Sequence, residues 1–481
     1  MSRVVLINPQ IVSSRFGAPL ESTDDVTIRH ALAQFAPLLR RQGHEVSLID
    51  LRLLSGWEAY ERAVAAAAPD WLCVTSHTCE REVALEAMVR GRRVASGARI
   101  IAGGIDPTTL PELYRPAADF VLRGEGEISL PRLLESPDSF PAVSYGETPD
   151  LDALPFADRE LWPDYAQRIQ HQILGFHAPT PVIDLIAQRG CPWPCKFCCG
   201  PGEQNLYTRA RPDGKRAFSF RVRSPDHVLD ELEILARRYH FRSIVFHDDQ
   251  FIVRPAWVEG FCAAMGRRLG RRRYPFWAAI RADVVCRHAG TGGLMEQLKG
   301  AGLHTVSIGF ESFSDDLLSW MQKGTTADEN YRAAEICRRM GLEIYGNFMF
   351  GLPRSDGRWH LEDDRKTLEA IRRIRPRVAS TSFFSPVPGA PFYPWFEKSG
   401  LMLGQDGSSM GQRNADEGKL KGVDYETLGR LLADLRRDLY PPIPPSPWPG
   451  RARAALGKLG LLPAARRARA FLNPPAFPKK A

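Results

Sequence analysis

No run of 18 or more apolar residues occurs in the 481-residue chain, so no segment is expected to span a membrane as a helix. No acidic residue follows Asp438. Eight cations do: Arg451, Arg453, Lys458, Arg466, Arg467, Arg469, Lys479 and Lys480. Of 64 Lys and Arg, that leaves 56 against 56 Asp and Glu, so the formal charge of +8 belongs to the tail. An electrically balanced body gives no support to nucleic-acid binding, which needs a clustered positive face. The opening residues, MSRVVLINPQ, lack the long apolar core and cleavage site of a secretory signal, so the expected location is cytoplasmic. Nine cysteines are an odd number, and thiols in that compartment stay reduced. A cysteine cluster then reads as metal binding rather than as disulfides. No internal repeat of fixed period is present.

What is present fits a folded protein: 44% apolar, 25% charged and 10% aromatic residues. Strand-like runs RVVLIN (3–8), EVSLID (45–50), WLCVTS (71–76), ARIIAGG (98–104) and DFVLRG (119–124) alternate with amphipathic segments. Near-continuous apolar strands between helices predict a parallel sheet covered on both faces. The fold expected is α/β, with a doubly wound, Rossmann-like domain over 1–135. Residues 136–180 are rich in Pro and Asp and read as an ordered linker. A second series follows: VIDLIAQ (182–188), SIVFHDD (243–249), FWAAIRA (276–282), HTVSIGF (304–310), EIYGNFMF (343–350) and VASTSFF (378–384). Six strand–helix units predict a partial TIM-like (β/α)6 barrel over 181–390. Residues 391–481 are expected to be a mostly helical extension with the basic tail.

The strongest feature is RGCPWPCKFCCGPG. Cys191, Cys195 and Cys198 are spaced C-x3-C-x2-C in a Pro/Gly-rich loop after the first strand of the second series. Thiolates are soft ligands for iron–sulfur clusters. Three ligands leave one iron of a 4Fe–4S cluster open to bind a small molecule, whereas a zinc site closes with a fourth Cys or His. Three unrelated loop cysteines, or a zinc knot, are the competing readings.

With that triad and Phe197 before its last cysteine, the sequence resembles the radical S-adenosylmethionine superfamily. HDDQF (247–251), IRADVV (280–285), GFESFSDDLLSWMQKG (309–324) and GNFMFGLP (346–353) look like the strand-end motifs of its cobalamin-dependent branch. GGIDPTTLPE (103–112) and ADFVLRGEGE (118–127) resemble parts of that branch's cobalamin-binding domain. The resemblance covers roughly residues 1–390.

It implies a 4Fe–4S cluster on Cys191, Cys195 and Cys198, with S-adenosylmethionine chelated to the open iron and cleaved to a 5′-deoxyadenosyl radical. Phe197 is expected near the adenine. Glu311 and Ser312 are candidates for contact with S-adenosylmethionine, although Ser312 or Ser314 also suits a helix cap. Asp248 and Asp249 end the second strand, where the adenosyl group, the substrate or cobalamin is expected; a solvated strand-end turn is the other reading. Arg281 is a candidate cofactor contact or half of an ion pair with Asp283. Lys323 reads better as a helix-end cation than as a ligand.

In the first domain, Ser76, His77 and Thr78 are expected near the corrin or its nucleotide tail. Gly103 and Gly104 are read as allowing close approach of that tail. Gly124, Glu125 and Gly126 are read as a turn at the ligand, or as a helix start. The loop NPQIVSSRFGAP departs from the D-x-H-x-x-G pattern whose His ligates cobalt from below. His77 is a candidate lower-face contact to cobalt or simply a hydrogen-bonding strand-end residue.

The expected activity is methyl transfer from methylcobalamin to an unactivated carbon of a small, secondary metabolite. An electron donor such as flavodoxin or ferredoxin is the expected partner. The alternative within the branch is a cyclase, a ring-rearranging enzyme or an oxidative enzyme that transfers no methyl. A non-catalytic cobalamin sensor is the reading from another class, and the intact triad opposes it. SPVPGAPFYPWF (385–396) suits a cover over the substrate mouth or a packed crossing loop. The tail mixes cations with Leu, Ala and Phe, so membrane contact, docking on the body and a solvated end all stay open.

Overall fold

Two parallel sheets, each of six strands, organise the chain. The computed structural model describes residues 1–10, 27–173, 176–200, 220–269, 274–403 and 420–440. The first sheet holds β1 (Arg3–Asn8), β2 (Glu45–Asp50), β3 (Trp71–Thr75), β4 (Arg99–Gly103), β5 (Phe120–Arg123) and β6 (Val143–Tyr145), in the order β2-β1-β3-β4-β5-β6. The period-two pleat of β1 explains why it is apolar throughout. Val4 and Leu6 enter the core with Leu32, Ala36 and Leu39 of the helix His30–Arg41. Val5 and Ile7 enter the opposite core with Tyr60, Val64, Ala84 and Met88. Helices therefore cover both faces, as a doubly wound sheet requires.

The second sheet holds β7 (Val182–Leu185), β8 (Ser243–Phe246), β9 (Phe276–Ala279), β10 (Leu303–Glu311), β11 (Glu343–Phe350) and β12 (Val378–Phe383). They pair in chain order, all parallel, and β7 and β12 stand as unpaired edges, so the barrel is open. Helices start where the sequence supplies caps. The Ser224 side chain accepts from the N–H of His227 ahead of Pro225–Tyr239, and Thr326 and Glu329 form a reciprocal box ahead of Ala327–Arg339.

The stretch expected as a linker is a structured wedge. It adds β6 to the first sheet. The Trp162 indole donates to Asp50 of β2 at 2.9 Å. Arg159 pairs with Glu231 at 2.7 Å and donates to the carbonyl of Asp184 on β7 at 2.8 Å. The side chains of Arg159 and Glu231 are 2% and 4% exposed, so this charge is buried only because it is paired. Three-residue VSY was too short to read as a strand, and an interdomain contact leaves no periodicity. No helix of the described residues is long and apolar enough to cross a membrane. The basic tail and most of the loop after β1 lie outside the described residues.

Candidate functional site

The cysteine loop leaves β7 and lies at the carboxyl edge of the second sheet, where ligands of parallel α/β folds gather. Its backbone is pinned from two sides. The N–H of Lys196 donates to the carbonyl of Met321, and the N–H of Phe392 donates to the carbonyl of Lys196, both at 2.9 Å. The Lys196 ammonium sits 4.6 Å from the centre of the Trp320 ring. None of Cys191, Cys195 and Cys198 is in a disulfide, and Cys195 is buried. Burial pushes Cys191 up to about 11, with the neighbouring Cys198 and Cys195 adding to the rise. The hydrogen bond with Cys199 brings Cys198 down to about 7.

Two cations answer that cluster of sulfur. Arg281 Nη1 lies 3.7 Å from Cys195 Sγ. The Arg281 guanidinium also stacks 4.8 Å from the Trp193 ring centre, pairs with Asp283 at 2.8 Å and donates to the carbonyl of Lys323. Lys323 is buried, with Nζ 3.3 Å from Glu311 Oε1 and 5.5 Å from the Phe197 ring centre. Its expected role as a helix-end cation is corrected. The residues after the helix Asp315–Trp320 turn back through Gln322 (φ +49°) and Gly324 (φ +68°), which carries the ammonium inward. Three neighbouring thiols beside two buried cations fit an anionic iron–sulfur cluster, because the positive charge offsets the thiolates.

Glu311 ends β10 in a left-handed conformation, φ +61°, which is rare for a residue with a side chain. A bulge between Gly309 and Glu311 accompanies it. The carboxylate folds over Gly309, where an added Cβ would stand 2.3 Å from Glu311 Oε1. A side chain at 309 would displace that carboxylate from its place beside Lys323. Ser312 goes elsewhere. It is buried, and its hydroxyl accepts from the N–H of Ser314 at 3.1 Å and lies 3.4 Å from Thr367 Oγ1. These bonds serve the turn after the strand.

Asp248 is buried at the end of β8 and clamps β7: Oδ1 accepts the N–H groups of Ala187, at 2.9 Å, and Gln188. Its Oδ2 has no hydrogen-bond partner among the described residues. Burial pushes this carboxyl up to about 8. Asp249, the next residue, is exposed to solvent. Asp248 holds the entrance of the cysteine loop.

In the first domain, Ser76 is fully buried between Tyr114 (2.9 Å) and its own neighbour's carbonyl. Thr78 is buried as well. Gly104 (φ +100°) is required by packing within the domain. An added Cβ would stand 2.7 Å from the Ser76 carbonyl oxygen. Gly103 is open, its nearest atom to such a Cβ being Leu122 O at 3.7 Å. The strand order reverses between β1 and β3, and ligands of such sheets bind beyond the carboxyl ends of the strands at that point. His77 is exposed, and Arg29 Nη1 lies 2.8 and 3.0 Å from its two ring nitrogens. The charge of Arg29 lowers its pKa to about 4, so the ring is neutral near pH 7.

The turn after β5, expected as a ligand turn or a helix start, makes a bridge to the second domain. Gly124 donates its N–H to Thr108 Oγ1 at 2.7 Å, and Gly126 has no room for a Cβ beside Phe35. Glu125 accepts from Arg189 at 2.9 Å and Arg221 at 2.7 Å, and Glu127 pairs with Arg189 at 2.7 Å. Arg189 precedes Gly190 and Cys191, so the first domain grips the base of the cysteine loop. Sequence spacing could not reveal Arg189, Trp193 or Lys323 as partners. The segment 385–396 is a packed crossing: Phe392 and Phe396 are buried against Phe384, and Gly389 abuts Thr109 of the first domain.

Family models place these features. The Radical SAM superfamily matches residues 185–364, and the B12 binding domain matches residues 24–134. An uncharacterised methyltransferase of Pyrococcus horikoshii is 24% identical over 388 residues, 77% of this chain and 79% of that protein. The hopanoid C-3 methylase of Methylococcus capsulatus is 26% identical over 371 residues, 74% of this chain and 66% of that protein. The anaerobic magnesium-protoporphyrin IX monomethyl ester cyclase of Cereibacter sphaeroides is 26% identical over 354 residues, 68% of this chain but 53% of that protein. The fold matches the radical S-adenosylmethionine methyltransferase TsrM from Kitasatospora setae, solved with cobalamin and a [4Fe-4S] cluster. That match has a TM-score of 0.62, 17% identity and 98% coverage of both chains.

Proposed function

This chain belongs to the cobalamin-dependent radical S-adenosylmethionine enzymes, and on that premise we propose that it places a methyl group on an unactivated carbon of a small metabolite. Its cofactors are a 4Fe–4S cluster, S-adenosylmethionine and cobalamin. When bound, they supply a carbon-centred radical able to remove a substrate hydrogen and a methyl group to replace it.

The chain's own residues prepare the site. Cys191, Cys195 and Cys198 would hold the cluster, and Arg281 and Lys323 would balance its charge. Glu311, held over Gly309 and steadied by Lys323, would accept a hydrogen bond from the methionyl amine of S-adenosylmethionine. Asp248 fixes the loop entrance through the N–H groups of Ala187 and Gln188. The Phe197 ring packs with the apolar cluster of Leu317, Met321 and Phe392, which dries one wall. The first domain offers cobalamin the open crevice between the ends of β1 and β3. The observation that carries the reading is the Glu125–Arg189–Glu127 bridge, which joins that domain to the cysteine loop and so brings both cofactor edges to one place.

Methyl transfer is favoured by two relatives named for it, and the cyclase relative supports the second reading, a radical reaction without methyl transfer. An external low-potential protein such as flavodoxin or ferredoxin supplies the electron, in the cytoplasm. Anaerobic reconstitution, followed by S-adenosylmethionine, reductant and substrate, decides between the readings. S-adenosylhomocysteine and 5′-deoxyadenosine formed in step with methylated product support methylation. Turnover of substrate without S-adenosylhomocysteine overturns it.

A further inference from the structure

We propose that His30, Asp184 and His247 form a divalent-cation site, suited to zinc, that ties the cobalamin-binding domain to the radical domain. The three residues come from three elements. His30 opens the helix His30–Arg41 of the first domain, Asp184 lies on β7, and His247 follows β8. Their ligating atoms all fall within 4.8 Å of one another. His30 Nε2 is 2.9 Å and His247 Nε2 3.7 Å from the same oxygen, Asp184 Oδ2. Donors held about 2.0–2.2 Å from a zinc ion stand roughly 3.4 Å apart in a tetrahedral shell, and the two distances bracket that value.

An ordinary ion pair accounts for only part of this arrangement. The His30–Asp184 hydrogen bond satisfies one imidazole. Nε2 of His247 is buried, aimed at the same carboxylate oxygen, and has no hydrogen-bond partner among the described residues. The two rings meet edge-on, with centroids 5.9 Å apart and planes at 62°, so they do not stack. A cation bound by both imidazoles and Oδ2 satisfies every one of these atoms. The other carboxylate oxygen is already oriented: the Tyr165 hydroxyl donates to Oδ1 at 3.2 Å, the kind of outer contact that aims a ligating carboxylate. Side-chain exposures of 13%, 2% and 21% leave the histidine side open enough for water to complete the shell.

Chemistry separates this site from the cysteine loop. Two imidazoles and a carboxylate suit zinc, whereas three thiolates suit iron–sulfur. The site lies behind the loop entrance, one residue before Asp248. An ion there adds a metal-mediated link to the Glu125–Arg189 bridge.

The test uses the full chain, anaerobically loaded with cluster and cobalamin, exposed to zinc chloride and desalted. Expected is about one retained zinc per chain, whose X-ray absorption edge shows nitrogen and oxygen neighbours at about 2.0–2.1 Å and no sulfur at about 2.3 Å. Retained zinc should fall at least five-fold in His247→Gln and in His30→Gln. It should persist when Cys191, Cys195 and Cys198 are all changed to Ala. Background zinc in the wild-type chain, or a sulfur shell, overturns the proposal. So does zinc that survives both histidine substitutions. Should either variant fold poorly, the wild-type stoichiometry and edge spectrum still decide.

Discussion

Replacing Glu311 by Ala and, separately, by Gly isolates a backbone effect from a chemical one. Both changes remove the carboxylate, and both leave the Lys323 ammonium, 8% exposed, without that partner. That cost is common and cancels between them. What differs is the Cβ at φ +61°. A side chain in the left-handed region costs about 1–2 kcal/mol, and Gly escapes it. Gly also loses more freedom on folding, which returns about 0.5–1 kcal/mol in favour of Ala. The Gly variant should therefore be the more stable of the two by about 0–1.5 kcal/mol, centred at about 0.75, which is about 1.5–3 °C in melting temperature at that centre for a domain of this size. Function should not separate the two variants. A charge-assisted hydrogen bond contributes about 1.5–3 kcal/mol, so both variants should bind S-adenosylmethionine about 10–100-fold more weakly than wild type. Paired calorimetric melts and equilibrium binding measure the two effects. A Gly variant that melts below the Ala variant would refute the strain argument. Wild-type affinity in the Gly variant would refute the role given to the carboxylate.

Glu127→Gln removes a charge 4% exposed from the interdomain bridge, and should destabilise the protein by about 1–3 kcal/mol; a melting temperature unchanged within a degree contradicts the bridge. Asp248, pushed up to about 8 from an ordinary value near 3.8, stabilises the fold as a neutral acid. That contribution is complete below about pH 4 and is lost as pH rises toward 8, by up to about 1.4 kcal/mol per pH unit. Asp248→Asn should flatten that slope in denaturant titrations across pH 4–8, and an unaltered slope excludes Asp248 as its source. Cys195→Ala should abolish the visible absorption of the cluster while cobalamin is still retained, because the crevice lies on another sheet; joint loss of both would show that the sites are not independent. His77→Ala should leave the visible spectrum of bound cobalamin unchanged, since Arg29 already engages the ring, and a spectral change would reinstate His77 as a cobalt contact.

The strands were legible because parallel sheets covered on both faces need near-continuous apolar runs, and each run of that kind became a strand. β6 escaped for the opposite reason: Val143–Tyr145 is a short edge with one buried residue, too little for a pattern. The cysteine triad was legible because a local spacing encodes the ligand set. The residues around it were not. Lys323 reads as the cation at a helix end until Gln322 and Gly324 turn the chain back on Glu311. Glu125 reads as a charge in a glycine turn, and its partners Arg189 and Arg221 lie 64 and 96 residues away. His77 and Arg29 are 48 apart.

The electrical balance of the body has the same origin. Its 56 cations and 56 anions do not spread evenly as solvated surface. Arg159 with Glu231, Arg189 with Glu127 and Arg81 with Asp106 are internal pairs, with anionic side chains 0–4% exposed. Removing one partner of such a pair strands a buried charge, at a cost of about 3–5 kcal/mol when fully buried. Composition therefore registers that the charges match without saying which match. The matches that matter most run between domains, at Glu125, Glu127 and Arg189, where they hold the base of the cysteine loop against the cobalamin crevice. A pairing that joins two sheets has no sequence period, so the part of the site that couples its cofactors is the part only the folded chain displays.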